Sequence, residues 1–268
     1  MSLRPILVAG EWRAASNPSG TFSAIDPATK AALPERFPVS GLEDVERACQ
    51  AATEAAAALR TVPRESIGRF LDAYADAIEG DADELVALAA RETGLPASPR
   101  LRLVELPRTA NQLRQGAAAV RDRSWCQATI DTKANLRSYL GPLGPVAVFA
   151  PNNFPFAFNA VAGGDFVGAI AAGNPVIAKA NPGHPGTSAR LAEHALTALR
   201  AAGLPLATVQ LLYHTPPAVG LKLVAHPGLG ATAFTGSKEA GLQLKAAAER
   251  AGKPIYLEMS SVNPVFVL

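Results

Sequence analysis

In the second half of the chain, short runs of small and apolar residues alternate with longer stretches whose apolar positions recur at helical spacing. Val146 to Ala150, Pro175 to Lys179, Ala207 to Tyr213, Ala231 to Phe234, Ile255 to Met259 and Pro264 to Leu268 read as strands. Phe156 to Ala172, Thr187 to Ala202, Pro216 to Ala225 and the stretch from Ser237 to Ala251 read as helices, the first two stopped by Gly173 and Gly203. Strict alternation with continuously apolar strands predicts an α/β fold, a parallel sheet with helices on both faces. Ligands of such sheets bind beyond the carboxyl ends of the strands. The polar residues that follow strands, Asn152, Asn153, Lys179, Ser237 and Glu258, are therefore the candidates for chemistry.

The first half has a different rhythm. Ile6 to Trp12, with a turn at Gly10, and Phe22 to Lys30, turning at Asp26-Pro27, suggest an antiparallel pair of strands. Ser40-Gly41-Leu42-Glu43 has the spacing of a capping box, in which the hydroxyl and the carboxylate each serve a free helix N–H. It opens an Ala-rich helix to about Arg60. A second helix runs from Pro63 to Glu79, and a third from Asp81 to Ala90, ended by Gly94 and Pro96. A fourth covers Leu101 to Val120, with a break near Pro107. Ser124 to Ile130 and Leu136 to Leu140 then read as strands around Asp131-Thr132-Lys133, either a protruding arm or a surface hairpin.

Composition narrows the class. A 268-residue chain that is 49% hydrophobic can fill one large core or two small ones, and a net charge of +2 with no basic stripe argues against nucleic acid. Asp165, Asn174 and Lys179 interrupt the most apolar stretch, so no membrane span is expected. The run Pro5 to Ala9 is too short for a signal peptide. Cys49 and Cys126 lie far apart, which fits a reducing cytoplasm and no disulfide framework. His184, His194, His214 and His226 show no metal spacing and read as surface or loop residues.

Four stretches could carry chemistry. In ATAFTGSKEAG, Ala231 to Gly241, a strand meets a helix through a tight turn. Gly236 relieves crowding, Ser237 can cap the helix, and Gly241 keeps its second turn slim. A helix start suits a phosphate, so the stretch is either a pyrophosphate cradle or an ordinary strand–turn–helix junction. APNNFPF, Ala150 to Phe156, sets two amides between prolines after a strand, where an Asn N–H can meet a developing oxyanion. GNPVIAKANPGHP, Gly173 to Pro185, ends a strand on Lys179, whose ammonium suits a ribose or phosphate. YLEMS, Tyr256 to Ser260, puts Glu258 in an apolar strand, where desolvation would raise its pKa and suit it to general-base work. Gly228-Leu-Gly-Ala-Thr-Ala233 resembles a dinucleotide fingerprint but precedes its strand instead of following one.

Taken together, VAGEW, RETGLP, APNNFPF, GNPVIAKANPGHPGTS, AFTGSKEAG and YLEMSSVNP resemble, in this order, the aldehyde dehydrogenase superfamily, and GDFVGAIAAGNPVIAKANPGHPGTS is most similar within it to the NADP-using semialdehyde enzymes that act on 2,5-dioxovalerate and to related fatty aldehyde enzymes. The resemblance implies a Rossmann-like cofactor domain over 1–123 and 145–259, a helical N-terminal layer, and an oligomerisation arm over 124–144. Residues 260–268 would be the first strand of a catalytic domain. It implies Asn153 as oxyanion donor and Glu258 as the base. Ala150, Pro151, Lys179, Asn181, Gly236 and Ser237 would border NADP or NAD, and an aldehyde would be the substrate of a homo-oligomer. Many members carry a Glu three residues after the strand-end Lys. Pro182 stands there in this chain, which removes a repulsion against a 2′-phosphate. Neither cysteine falls in the family's nucleophile motif, so the chain is expected to be inactive alone and, with its last apolar strand unpartnered, to associate or aggregate.

Overall fold

A computed structural model describes residues 3–261 and 264–267 of the protein. The chain opens with two hairpins, β1 (Ile6–Val8) with β2 (Glu11–Arg13), and β3 (Gly20–Phe22) with β4 (Phe37–Val39). Helices α1 (Leu42–Leu59), α2 (Arg64–Gly80) and α3 (Ala82–Thr93) follow. An irregularly wound segment, Ala97–Glu105, then runs into α4 (Leu106–Asp122). A further hairpin, β5 (Thr129–Asp131) with β6 (Leu136–Ser138), stands out from the surface with its residues exposed. The remainder alternates: β7 (Val146–Phe149), α5 (Gly164–Ala171), β8 (Val176–Lys179), α6 (Pro185–Ala202), β9 (Val209–Leu212), α7 (Pro217–Val224), β10 (Ala231–Thr235), α8 (Lys238–Arg250) and β11 (Ile255–Glu258).

The main sheet has seven strands in the order β11-β10-β7-β8-β9-β1-β2. Its first five are parallel, as the alternation predicted, and β1 and β2 extend it in antiparallel fashion. The chain steps from β7 to β8 to β9, then returns to lay β10 on the other side of β7. This reversal opens a crevice at the carboxyl ends of β7 and β10. Register keeps the strand ends level, with Phe149 beside Lys179 and Phe234, and Thr235 beside Glu258. The helices pack in two groups. One holds α1, α7 and α8, and the other holds α2 to α6, with the Tyr74 hydroxyl donating to the Val161 carbonyl at 3.0 Å in its core. No described helix is long and apolar enough to cross a membrane.

Several expectations are corrected. The segments Ile6–Trp12 and Phe22–Lys30 do not pair with each other. The apolar β1 is drawn between β2 and β9, while Phe22 joins β4. Ser40 does not cap α1. Its N–H is spent on the His214 carbonyl at 2.8 Å, its hydroxyl is buried without a partner, and Gly41 takes the cap position. The break expected near Pro107 takes the form of a change in winding: the irregular segment ends at Glu105 and α4 begins at Leu106, with Pro107 in its first turn, where a missing N–H costs little. The helix expected from Phe156 begins only at Gly164. Asn159 diverts the backbone by donating to Pro155 O and accepting from Val161 N, a local alternative to helical bonding. Of the strand expected over 264–268, residues 264–267 are exposed with no ladder partner among the described residues, and Leu268 lies outside them.

Close packing of α4 on α5 depends on Gly116, where an added Cβ would collide with the stiff Val167 side chain. Gly168, in α5, has open space at that position. Gly116→Ala should therefore lose roughly 1–3 kcal/mol in chemical denaturation. Gly168→Ala should be neutral or gain up to about 1 kcal/mol. Equal effects of the two substitutions would contradict this packing.

Candidate functional site

A cleft of about 660 Å³ lies at the carboxyl ends of β7, β8, β10 and β11. All eight residues named as site candidates line it: Ala150, Pro151 and Asn153 after β7, Lys179 ending β8 and Asn181 after it, Gly236 and Ser237 after β10, and Glu258 ending β11. Asn152, Phe154, Phe158, Phe234 and Met259 complete much of the wall. Segments more than a hundred residues apart in sequence meet here because the register levels their ends.

The turn into α8 is built as its residues predicted. Ser237 is the N-cap, extended at φ −68° and ψ 147°, and its Oγ accepts from Ala240 N at 3.3 Å. The N–H groups of Lys238 and Glu239 head the helix and have no acceptor within it. Gly236 N donates to the Glu258 carbonyl at 3.0 Å, which ties this turn to β11. A Cβ on Gly236 would sit 2.7 Å from the Phe234 ring, and one on Gly241 would sit 2.6 Å from Met259 Sδ. Both glycines let α8 lie close against the sheet beside the cleft.

Lys179 keeps some exposed surface at the cleft wall, yet the protein around its ammonium withholds water and draws its pKa down to about 8. Asn181 is a strut between two loops: its Nδ2 donates to Ala150 O at 3.2 Å and its Oδ1 accepts from Gly183 N at 2.9 Å. Glu258 departs from expectation. It is exposed, because β11 is the edge of the sheet with residues alternating between half-buried and exposed. A second carboxyl shares its surroundings. Asp165, exposed at the start of α5, has its pKa raised by the protein that displaces water from around it and then by the charge of Glu258.

Two polar residues that build the site were missed. His184, expected at the surface, is fully buried, and its Nε2 hydrogen-bonds the Pro151 carbonyl at 2.9 Å. Burial lowers its pKa, so the ring is neutral, and the carbonyl acceptor places the proton on Nε2. Glu92, from RETGLP, is buried at the start of α6. It accepts from Gly186 N and Thr187 N, both at 2.8 Å, and from Thr187 Oγ1 at 2.7 Å. Burial pushes its carboxyl up to about 7 against the pull of these bonds. The available signal was the sequence that both share, a Glu ahead of a Gly turn and a His-Pro-Gly-Thr-Ser helix start. Only the fold joins them.

Cys49 is fully buried in α1, where burial pushes its thiol up to about 12, and Cys126 is buried at the base of the β5–β6 hairpin. Neither lines the cleft. Among the described residues no group of three or more His, Cys, Asp or Glu side chains could hold a metal ion.

Residues 12–268 match the aldehyde dehydrogenase family model. The chain is 40% identical over 264 residues to alpha-ketoglutaric semialdehyde dehydrogenase 2 of Azospirillum brasilense, covering 94% of this chain and 50% of that protein. It superposes on succinate-semialdehyde dehydrogenase from Burkholderia pseudomallei with a TM-score of 0.85 at 27% identity, covering 99% of this chain and 53% of the other. For the NADP-dependent glyceraldehyde-3-phosphate dehydrogenase from Bacillus halodurans C-125 complexed with NADP, the TM-score is 0.81 at 26% identity, covering 97% and 53%. The chain spans about half the length of the curated relatives it matches.

Glu92 makes stability depend on pH. Its native pKa lies above the ordinary 4.5, so the native state keeps a proton that the unfolded chain releases between 4.5 and about 7. The resulting stability is full below that window and is lost as pH rises through it, by up to roughly 3 kcal/mol. The advantage of the natural chain over Glu92→Gln in urea unfolding should thus be larger at pH 5 than at pH 8. An advantage that grows with pH would show that the three hydrogen bonds outweigh burial.

Proposed function

Because the chain belongs to the aldehyde dehydrogenase family, we propose that its cleft holds the dinucleotide, NADP or NAD, of an enzyme that oxidises an aldehyde to a carboxylic acid. The substrate proposed is a semialdehyde such as 2,5-dioxovalerate. The observation that carries this reading is the convergence of the α8 N-terminus, Lys179, Asn153 and Glu258 on one cleft at the strand-order reversal. The donor set fits the cofactor. Free N–H groups at a helix start suit a pyrophosphate, and an ammonium beside them suits ribose hydroxyls or phosphate. Pro182 follows Lys179 by three positions and brings no carboxylate against a 2′-phosphate, so NADP is admissible. When bound, the dinucleotide supplies a hydride acceptor.

The chain's own residues divide the remaining work. Gly236 and Ser237 would seat the pyrophosphate, and Ala150 and Pro151 would border the dinucleotide with Asn181 bracing their loop. The Asn153 side-chain amide would donate to the oxygen of the aldehyde as negative charge develops there. Glu258, exposed at the cleft mouth, would take a proton from water and from an attacking thiol. That thiol is neither of this chain's two cysteines, because both are buried away from the cleft. This position of the sulfurs favours a second reading beside the first: by itself the chain is a dinucleotide-binding or assembly module without turnover.

The architecture is assigned in the same terms. Residues 1–123 and 145–259 form the dinucleotide-binding unit. Residues 124–144 form an arm whose exposed Ile130, Leu136 and Tyr139 suit pairing between copies. Residues 260–268 lead toward catalytic structure, since Val265, Phe266 and Val267 are apolar and need cover.

Titration of the 268-residue chain with NADP and with NAD should show saturable binding to at least one of them. Lys179→Ala should weaken it by roughly tenfold or more, the scale of a lost hydrogen bond to a charged group. The ammonium titrates near 8, so affinity should fall as pH rises through about 8 in the natural chain and stay flat in Lys179→Ala. Absence of binding, or a fall with pH that survives the substitution, would count against the site. In an assay with 2,5-dioxovalerate and NADP the same chain should form no reduced dinucleotide. Turnover would refute the placement of the nucleophile outside Cys49 and Cys126.

A further inference from the structure

We propose that Glu105 and Arg100 form a clamp that sets the direction of the Asn153 side-chain amide, with Arg100 as the positioning residue; this rests on the reading of Asn153 as oxyanion donor. Both residues belong to the irregular segment Ala97–Glu105, and neither lines the cleft. Glu105 is fully buried. Its Oε1 accepts from Phe156 N at 2.8 Å and Ala157 N at 3.0 Å, and its Oε2 pairs with Arg100 Nη1. Arg100 Nη2 reaches on to donate to the Asn153 backbone carbonyl at 3.1 Å, and the guanidinium lies 4.4 Å from the centre of the Phe154 ring. Asn159 Nδ2 holds the intervening Pro155 carbonyl at 2.8 Å.

The backbone is thus gripped at Asn153 O, at the Phe154 ring, at Pro155 O and at Phe156 and Ala157 N, while the Asn153 side chain makes no hydrogen bond to protein among the described residues. Such an arrangement leaves one amide free for a ligand and removes the freedom of the chain that carries it. An oxyanion donor is effective only when it is oriented before the charge appears. A buried carboxylate holding two backbone N–H groups gives the clamp a fixed end. The bidentate, planar guanidinium transmits that fixity across the turn, because one Nη serves the carboxylate and the other the carbonyl.

Simple loop support by Glu105 would need no arginine, and the two roles separate experimentally. In the ¹⁵N-labelled 268-residue chain, Arg100→Ala should shift the Asn153 side-chain amide resonances. It should also lower the backbone order parameters of residues 152–154, since the lost hydrogen bond held the Asn153 carbonyl. Exchange at Phe156 and Ala157 should stay slow. Glu105→Gln keeps a carbonyl oxygen for those two N–H groups but loses the ion pair, so it should reproduce the Asn153 signature. Arg108→Ala is the control. Arg108 lies 5.2 Å from the Phe158 ring centre and 6.0 Å from that of Phe154, and it makes no hydrogen bond to Asn153, so its removal should leave the Asn153 resonances in place. NADP affinity should remain within about twofold in Arg100→Ala, since the clamp serves the aldehyde end of the cleft. Unchanged Asn153 resonances in Arg100→Ala, or order parameters lowered evenly over the whole chain, would overturn the clamp. Lost NADP binding in the natural chain would instead undo the functional reading beneath it. Should Glu105→Gln fail to fold, the Arg100→Ala and Arg108→Ala pair still decides the matter.

Discussion

Helices α6 and α8 both begin just past the carboxyl ends of their strands, and the contrast between their N-termini organises the cleft. At α6 the free N–H groups are filled by a carboxyl group of the protein itself, the buried Glu92. At α8 only the short Ser237 hydroxyl is supplied, accepting from Ala240 N, and Gly236, Ser237 and Ala240 line the cleft. The partial positive charge of a helix start attracts whichever anion is at hand. With Glu92 in place the α6 terminus is closed to ligands and becomes structural, so α8 offers the one of the two that is open.

The closed terminus has further consequences for the open one. Fixing the start of α6 also fixes His184, which grips Pro151 from below, and Asn181, which grips Ala150. The loop after β7 is thereby held from the β8 side by these two residues and from the other side by the Arg100–Glu105 pair. Level strand register does the rest, delivering Lys179 and Glu258 to the same rim with no long loop between them. The cleft is assembled almost entirely from segments whose backbone positions are set by the sheet or by buried polar bonds. A preformed site of this kind spends little binding energy on ordering itself.

Much of this was legible in the sequence, and the exceptions have physical causes. Strands such as Val146–Ala150 and Pro175–Lys179 announce themselves because a parallel sheet buried on both faces demands continuous apolar runs. The polar residues just after them, Asn152, Asn153, Lys179, Ser237 and Glu258, could be named for the same reason and line one cleft, and Ala150, Pro151 and Asn181, implied only by the family resemblance, line it too. The turn at Gly236-Ser237 was readable because capping and close approach are local properties. Properties set by non-local partners were not readable. Ser40 looked like a cap, but its N–H was taken by His214, distant in sequence. Glu258 looked desolvated because its strand is apolar, yet the sheet places that strand at an edge. His184 looked like a surface or loop residue and Glu92 stood only within a motif, yet the fold buries both, Glu92 between α3 and the start of α6. Asn159 broke an otherwise plausible helix through bonds to its own neighbours, a competition that apolar periodicity does not report.

The most direct test of this account is a crystal structure of the chain grown with NADP, or with NAD if that binds tighter. The pyrophosphate should lie on the amides that follow Ser237, with a ribose or phosphate oxygen within hydrogen-bond reach of Lys179 Nζ. A dinucleotide seated elsewhere, or one that displaces Glu92 to occupy the start of α6, would contradict it.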